Sequence, residues 1–362
     1  MTKLRVGIIG VSASRGWARQ SHVPAVQALD GLELAAVATR DEESADAARA
    51  AFGVSRAYAD AADLIADPDI DIVTVAAPVP AHRALIVAAL GAGQHVVTEW
   101  PVGTATAQTG EIAGIADRSG RRTAVDLQAR MNPAAVRAAG LIKSGAIGRI
   151  LSATVYSSTA AFGRKVAESE LTMEKPETGM NLTTIQTAHT ADFAIMLAGR
   201  LTSLAVLTTV QYPELQVGDP PRSYCRTIPD HVLLHGRLSG GGALTVQVAG
   251  GRAPGDTPFR MDIAGEDGVL ALEGGADRGF QSGLLRLSLN GDPVKLDEGE
   301  TGALADPVVN VARVYAALRD DILHGTSTAP DFGHAVRLSH LVDDILTAAA
   351  SGRTITPTAE WP

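Results

Sequence analysis

The residues with the most explicit chemistry stand near the start of the chain. Gly7-Ile8-Ile9-Gly10-Val11-Ser12-Ala13-Ser14-Arg15-Gly16 follows a strand-like run, Leu4–Ile9, and leads into helix-forming residues from Trp17 onward. A strand, a turn of small residues and a helix make a cradle for the diphosphate of a dinucleotide. Small side chains let the backbone approach the anion, and the helix start offers it N–H groups and the positive end of the dipole. Gly10, Ser12, Ala13, Ser14, Arg15 and Trp17 are therefore the expected contacts. The spacing departs from Gly-x-Gly-x-x-Gly. Ser12 occupies the second glycine position and the third glycine is displaced to Gly16, which implies a longer loop. An ordinary tight turn is the competing reading.

Two further places bear on a hydride-transfer chemistry, which needs a held nicotinamide, an oriented substrate and a proton moved to or from an alcohol oxygen. The end of the second strand selects the nucleotide, since a carboxylate there bonds the ribose 2′-OH. This chain has Thr39 and Arg40 instead. A hydroxyl and a guanidinium suit a 2′-phosphate, so NADP is expected with NAD left open. Pairing of Arg40 with Asp41 or Glu42 is the alternative. On a later helix, His189 titrates naturally near neutrality and is the candidate general acid/base. Asp192 follows at i+3, on the same face, and could orient the imidazole. A histidine closing a buried polar pocket is the competing reading.

The elements that must position these residues alternate through the first third. Strands are read at Leu4–Ile9, Leu32–Ala38, Arg56–Tyr58, Ile70–Ala76, His95–Thr98 and Thr123–Leu127. Helices are read between them at Trp17–Leu29, Glu42–Phe52, Ala61–Ala66, His82–Ala92 and Thr106–Ser119. Such alternation predicts a parallel, doubly wound sheet. The pattern then changes. Helices at Pro133–Ser144 and Thr183–Leu197 are followed by closely spaced strands from Thr202 to Leu289, then by helices at Val308–His324 and His334–Ala350. This predicts a first domain over 1–126 and a second, α+β domain over 127–362 with a mostly antiparallel sheet. Residues 162–179 and 213–229 read as long loops, of the length that often forms lids.

Composition narrows the classes. A net charge of −9 argues against a nucleic-acid surface. The single cysteine, Cys225, excludes an intrachain disulfide and fits a reducing compartment; a lone thiol is more often packed than nucleophilic. No signal peptide and no bilayer-length apolar run are read, so a cytoplasmic protein without membrane contact is expected. No metal-ligand spacing is found.

An ordered series of segments resembles the Gfo/Idh/MocA oxidoreductases. It runs from the glycine loop through Ala76-Ala77-Pro78-Val79-Pro80-Ala81-His82, His95-Val96-Val97-Thr98-Glu99-Trp100-Pro101 and Leu141-Ile142-Lys143-Ser144-Gly145 to His189-Thr190-Ala191-Asp192 and Gly265-Glu266-Asp267-Gly268. Ser12–Ala18 with His22 and Pro24, Glu99-Trp100, Leu127-Gln128-Ala129-Arg130 and Pro229–Gly236 resemble its Gal80-like branch, which includes a dinucleotide-binding yeast regulator beside relatives regarded as enzymes. The resemblance implies a Rossmann domain, an α+β domain with an open sheet for substrate and oligomer contacts, a small-molecule substrate, and a homodimer or homotetramer. It also implies cofactor contacts at Ala76, Ala77, Pro78, His82, Glu99, Trp100, Gln128 and Arg130. Glu99 as a structural carboxylate and His82 as a helix cap remain alternatives.

One departure matters for mechanism. The family's Glu-Lys-Pro lysine is Trp100 here, and an indole supplies no acidic proton. Another residue supplies it, or the chain is not a standard dehydrogenase. Lys165 and Lys175 lie in the first long loop and could substitute, although exposed lysines are the ordinary case. The aspartate that usually precedes the histidine by four is Ile185. The expectation is an NAD(P)-dependent oxidoreductase acting on a sugar-like or cyclic carbonyl or alcohol; the alternative is a Gal80-like sensor without turnover.

Overall fold

Near-continuous apolar runs build the first sheet. In the computed structural model, which describes residues 3–359 and 361, strands β1 (Leu4–Ile9), β2 (Leu32–Ala38), β3 (Arg56–Tyr58), β4 (Ile72–Val75), β5 (His95–Glu99) and β6 (Thr123–Asp126) pair in parallel in the order β3-β2-β1-β4-β5-β6. Val6, Ile8, Ile72, Val73 and Val75 are fully buried, as strands covered on both faces require. The chain steps outward from β1 on one side and from β4 on the other. Right-handed crossovers then put helices on both faces and leave a crevice at the β1/β4 reversal.

The connecting helices are α1 (Trp17–Gln20), α2 (His22–Ala28), α3 (Glu42–Phe52), α4 (Ala61–Ala66), α5 (Val79–Gly91) and α6 (Thr106–Ser119). The single helix expected over Trp17–Leu29 is broken at Ser21, which lies outside helical geometry and whose Oγ donates to Trp17 O at 2.8 Å. Pro24 is the cause. It has no N–H for the Gln20 carbonyl and its ring would strike that carbonyl in a continuous helix. α5 begins three residues before the expected His82, because Pro80 is tolerated in a first turn.

The second sheet alternates instead. β7 (Ile150–Ser158) is followed by β8 (Lys165–Val166), β9 (Ala205–Thr209), β10 (Glu214–Val217), β11 (Arg222–Cys225), β12 (His231–Arg237), β13 (Ala243–Ala249), β14 (Pro258–Gly265), β15 (Val269–Gly275), β16 (Leu285–Leu289) and β17 (Asp292–Pro293). Eight of these form one sheet, in the order β17-β16-β15-β14-β7-β13-β12-β9, antiparallel except for β7 beside β13. One face buries Val155, Leu234, Val246, Met261 and Leu272. It packs against helices α7 (Pro133–Lys143) and α8 (Ala188–Ala198). Phe193 of α8, Phe259 of β14 and Phe280 interlock, with ring centroids 4.1–5.7 Å apart. Such ring pairs add about 0.5–1.5 kcal/mol each beyond their burial.

The two segments expected as long loops are organised. β8 pairs with β10 and β10 with β11 in a three-stranded sheet over a cluster of Val166, Leu215 and Val217. Arg226, fully buried, is bonded to Glu174 and Asp230 beneath it. Cys225 is exposed on β11 rather than packed.

Helix α9 (Val308–His324) then packs on α2 and β6, and α10 (Phe332–Ser351) ends the regular structure. Val125 N–H donates to Pro330 O at 2.7 Å, covering the β6 edge. Two units result: Met1–Gln128 with Gly299–Val336, and Ala129–Glu298 with Arg337–Pro362. No described helix is long and apolar enough to cross a membrane.

Candidate functional site

In the first unit, Gly10, Ser12, Ala13, Ser14, Arg15, Thr39, Arg40, Ala77 and Pro78 come together around a cleft of about 730 Å3 at the C-terminal ends of β1, β2 and β4. The backbone dictates this. Gly10 has φ +90°, and a Cβ on it would lie 2.7 Å from Ala76 O and 2.8 Å from Ala77 N. Only glycine fits between the two strand ends. Gly16 has φ +94° and faces open space. The loop is braced at its rear by Arg19, whose Nε donates to Ala13 O at 2.7 Å.

At the end of β2, Arg40 is largely exposed and its Nε donates to Asp41 at 3.1 Å, the pairing raised as the alternative. Asp41 caps α3, accepting from Ser44 N–H at 2.7 Å. The cap and the neighbouring Arg40 hold its carboxyl below the ordinary aspartate range. Both of its oxygens are thus already engaged.

His82 does not line the cleft. It is buried, its Nε2 donates to Ala77 O at 2.7 Å and its Nδ1 lies 3.4 Å from Thr98 Oγ1. Burial pushes its pKa down. It fixes the turn that carries Ala77 and Pro78. Trp100 is buried, and Gln128 is buried with its Oε1 lacking a hydrogen-bond partner.

Trp17 and Glu99 join a buried polar cluster centred on His22, which the sequence reading named only as part of the resemblance. His22 Nε2 lies 3.5 Å from Glu99 Oε1 and 3.8 Å from Asp126 Oδ2. His22 Nδ1 is 2.9 Å from Tyr315 Oη, which is 2.8 Å from Thr74 Oγ1. Trp17 hydrogen-bonds the Asp126 carboxyl. Burial opposes charge on His22, but Glu99 and Asp126 outweigh it and raise the ring's pKa. Burial, with the Glu99 charge, pushes Asp126 up to about 6 against the pull of His22 and Trp17. Asp126, Thr74 and Tyr315 escaped the sequence reading. The available signal was a polar residue inside an apolar strand run, Ile-Val-Thr-Val and Ala-Val-Asp-Leu.

In the second unit, α8 carries His189 and Asp192, both buried. Asp192 accepts from Arg130 Nη1 at 2.9 Å. His189 Nδ1 has no hydrogen-bond partner. The expected orienting bond from Asp192 is replaced there by the Arg130 pair, and Asp192 acts on the ring through its charge. Burial lowers His189 to about 4 despite that charge. The ring is therefore neutral at neutral pH.

Immediately before α8 the chain makes a π-helical turn, Thr183–Thr187, in which Thr187 N–H reaches back to Leu182 O at 2.8 Å. Such turns recur at functional sites. Asn181 opens it, accepting from the N–H groups of Thr183 and Thr184 at 3.0 Å. Thr183 Oγ1, Gln186 Oε1 and Thr187 Oγ1 are buried without hydrogen-bond partners, like His189 Nδ1. Buried polar atoms are normally satisfied, so this concentration marks the helix start as a place for a polar ligand. Lys165 and Lys175 are exposed, one on β8 and the other between two tight turns.

Residues 4–127 match the family of oxidoreductases with an NAD-binding Rossmann fold, Gfo/Idh/MocA. Residues 133–274 match the Gal80p C-terminal domain. Dehydrogenase aclE of Aspergillus oryzae is 28% identical over 365 aligned residues, covering 97% of this chain and 97% of its own. A super-repressor mutant of Gal80p from Saccharomyces cerevisiae has the same fold, with a TM-score of 0.86 at 23% identity over 98% of each chain. Levoglucosan dehydrogenase in complex with NADH and L-sorbose gives 0.83 at 21% identity over 99% of each chain.

Proposed function

We propose that this chain, whose residues 4–127 match the Gfo/Idh/MocA oxidoreductase family, moves a hydride between a nicotinamide dinucleotide, NADP in preference to NAD, and a sugar-like or cyclic carbonyl or alcohol. The observation that carries the reading is the cleft around Gly10. Small residues and strand-end backbone line it on one side, Arg15, Arg40 and Glu43 add charged groups, and its volume of about 730 Å3 is within the usual range for a ligand site. A bound dinucleotide would supply or accept the hydride. Gly10, Ser12, Ala13 and Ser14 would hold its diphosphate through backbone and hydroxyl groups. Thr39 and Arg40 would take a 2′-phosphate, since Asp41 is committed to capping α3 and to Arg40.

The unsatisfied Thr183, Gln186, Thr187 and His189 favour a substrate rich in hydroxyls, which could satisfy them. His189 would act as a neutral hydrogen-bond partner that orients a substrate hydroxyl, because its low pKa leaves the ring uncharged and a weak base at neutral pH. The test is calorimetric titration with NADPH and NADH, followed by a panel of sugars and cyclic ketones monitored by nicotinamide absorbance. Absence of binding to either nucleotide refutes the reading.

The match to the Gal80p C-terminal domain, together with Trp100 in the lysine position, favours a second reading as a dinucleotide-dependent sensor. Nucleotide binding without turnover on any substrate, together with a nucleotide-sensitive protein complex, supports it. The outward face of the eight-stranded sheet, with Leu207, Thr245 and Arg260 exposed, is the surface proposed for self-association, which light scattering checks.

A further inference from the structure

We propose that His22, Glu99 and Asp126 form a shared proton store with a single outlet, and that Glu99 at that outlet gives a proton to, and recovers it from, the substrate oxygen. The proposal rests on the oxidoreductase reading and adds to it a catalytic residue on the nucleotide unit.

The geometry has three parts. First, an imidazole and two carboxylates from α2, β5 and β6 meet within 3.8 Å. Two carboxylates that converge on one fully buried ring nitrogen, with Asp126 itself buried, cannot both stay anionic beside a neutral ring without a large desolvation cost. The group therefore keeps a proton through the neutral range. Asp126 Oδ1 has no hydrogen-bond partner and is open to receive it.

Second, the proton can leave the ring on one side only. With Nδ1–H donating to Tyr315 Oη, and the tyrosine hydroxyl donating to Thr74 Oγ1, the ring is fixed and Nε2 faces the carboxylates. Burial raises the Tyr315 phenol well above its usual range, so it does not compete as an acid. The remaining titratable group in the field of Glu99 is His82 of α5, whose ring is held by Ala77 and Thr98 and is kept neutral by burial.

Third, only Glu99 reaches outward. Its side chain is 26% exposed, against 0% for His22 and 3% for Asp126. It ends β5, on the edge of the parallel sheet where ligands bind in this architecture.

In the reducing direction the carbonyl carbon gains a hydride from a reduced nicotinamide dinucleotide. The C=O π pair moves to oxygen, and that oxygen takes the proton from the Glu99 carboxyl. That proton is the stored one, passed from His22 Nε2 to Glu99 as Glu99 delivers it, so a single proton crosses and leaves a neutral ring to be recharged from solvent through Glu99. Oxidation runs the same steps backwards.

The test uses the full chain and needs no substrate. NADP+ and NADPH are titrated calorimetrically in buffers of differing ionisation heat, which counts protons. The positive ring of NADP+ displaces part of the stored proton and NADPH does not, so affinity for NADP+ alone rises with pH, by up to about tenfold per unit. Glu99→Gln removes the pH dependence of the ratio of the two affinities, whatever its effect on either affinity alone. If both bind with equal proton counts in wild type and E99Q, the store is refuted and the oxidoreductase reading stands. If neither binds, both fall. A second readout guards against a misfolded variant. Imidazole nitrogen NMR of wild type shows a charged His22 above the ordinary histidine range, and Asp126→Asn lowers its midpoint by about one unit or more. A neutral His22, or a midpoint unmoved by D126N, overturns the proposal.

Discussion

Arg226→Met is expected to melt the small three-stranded sheet while leaving the large one intact. The guanidinium is fully buried and all of its N–H groups are engaged. Nε and Nη2 donate to Glu174 at 2.8 and 2.6 Å, Nη1 to Asp230 at 3.0 Å and to Phe162 O at 2.7 Å, and Nη2 to Gly163 O at 3.1 Å. Asp230 in turn accepts from Gln211 and Tyr212 N–H at 2.7 and 2.9 Å. One side chain thus ties residues 162–163, 174, 211–212 and 230 together. Methionine replaces the bulk but strands two carboxylates that are 2% and 1% exposed. Breaking a buried pair from one side costs about 3–5 kcal/mol.

That loss falls on a segment with little else to hold it. Val166, Leu215 and Val217 contribute about 1.5–3 kcal/mol each on burial, against roughly 1–2 kcal/mol of backbone entropy for every residue kept ordered. Hydrogen exchange followed by mass spectrometry is the assay. Amides in 162–178 and 213–229 should exchange about two to three orders of magnitude faster, at tenfold per 1.4 kcal/mol, while β7, β13 and β14 keep their protection. Adding Glu174→Gln and Asp230→Asn to Arg226→Met should recover at least about 1 kcal/mol, because the stranded charges are gone. A single-variant effect under about tenfold, or a triple variant no better than the single one, would refute the account of Arg226 as the anchor.

Further expectations concern the two candidate sites. Gly10→Ala should weaken nucleotide binding at least about tenfold by calorimetry, since its Cβ would meet strand-end backbone at 2.7 Å and the φ of +90° is itself unfavourable by about 1 kcal/mol or more. Arg40→Ala should weaken NADPH binding by about 5- to 30-fold, the equivalent of ~1–2 kcal/mol, and leave NADH unchanged; equal loss for both would remove the 2′-phosphate assignment. His189, lowered to about 4 by burial, supplies stability that is complete above about pH 6.5 and is lost as pH falls through about 4, because the unfolded chain takes up the proton first. Asp126, raised to about 6, has the opposite sign, its contribution being complete below about pH 3.8 and lost as pH rises through 6. His189→Gln should therefore make urea stability fall less steeply between pH 6.5 and 4 than in wild type, and an unchanged slope would contradict the burial of a neutral ring.

The first sheet was legible in the sequence because its strands other than the short β3, Arg-Ala-Tyr, are largely apolar runs closed by turns, and those strands fall where the runs fall. The break at Ser21 was legible in principle, from Pro24 and its missing N–H. The ordered segments at 162–179 and 213–229 were not, because the pairing that joins them, β8 to β10, is parallel and non-local and hangs on Arg226, whose carboxylate partners lie 52 residues before it and 4 after it. The glycine cleft follows from one local constraint, the absence of room for a Cβ at Gly10. The His22 group has no such local signature, since its members stand at 22, 74, 99, 126 and 315 and each alone reads as capping or packing. What distinguishes them is chemical misfit. Thr74 and Asp126 interrupt strands that are otherwise apolar on both faces, and Thr183, Gln186 and Thr187 put polar atoms around a helix start with no solvent side. A buried parallel strand excludes a carboxylate unless partners await it, so Asp126 near the C-terminal end of β6 already implied a basic group somewhere in the fold. The sequence could announce that need; only the tertiary structure names His22 and Trp17 as the groups that meet it.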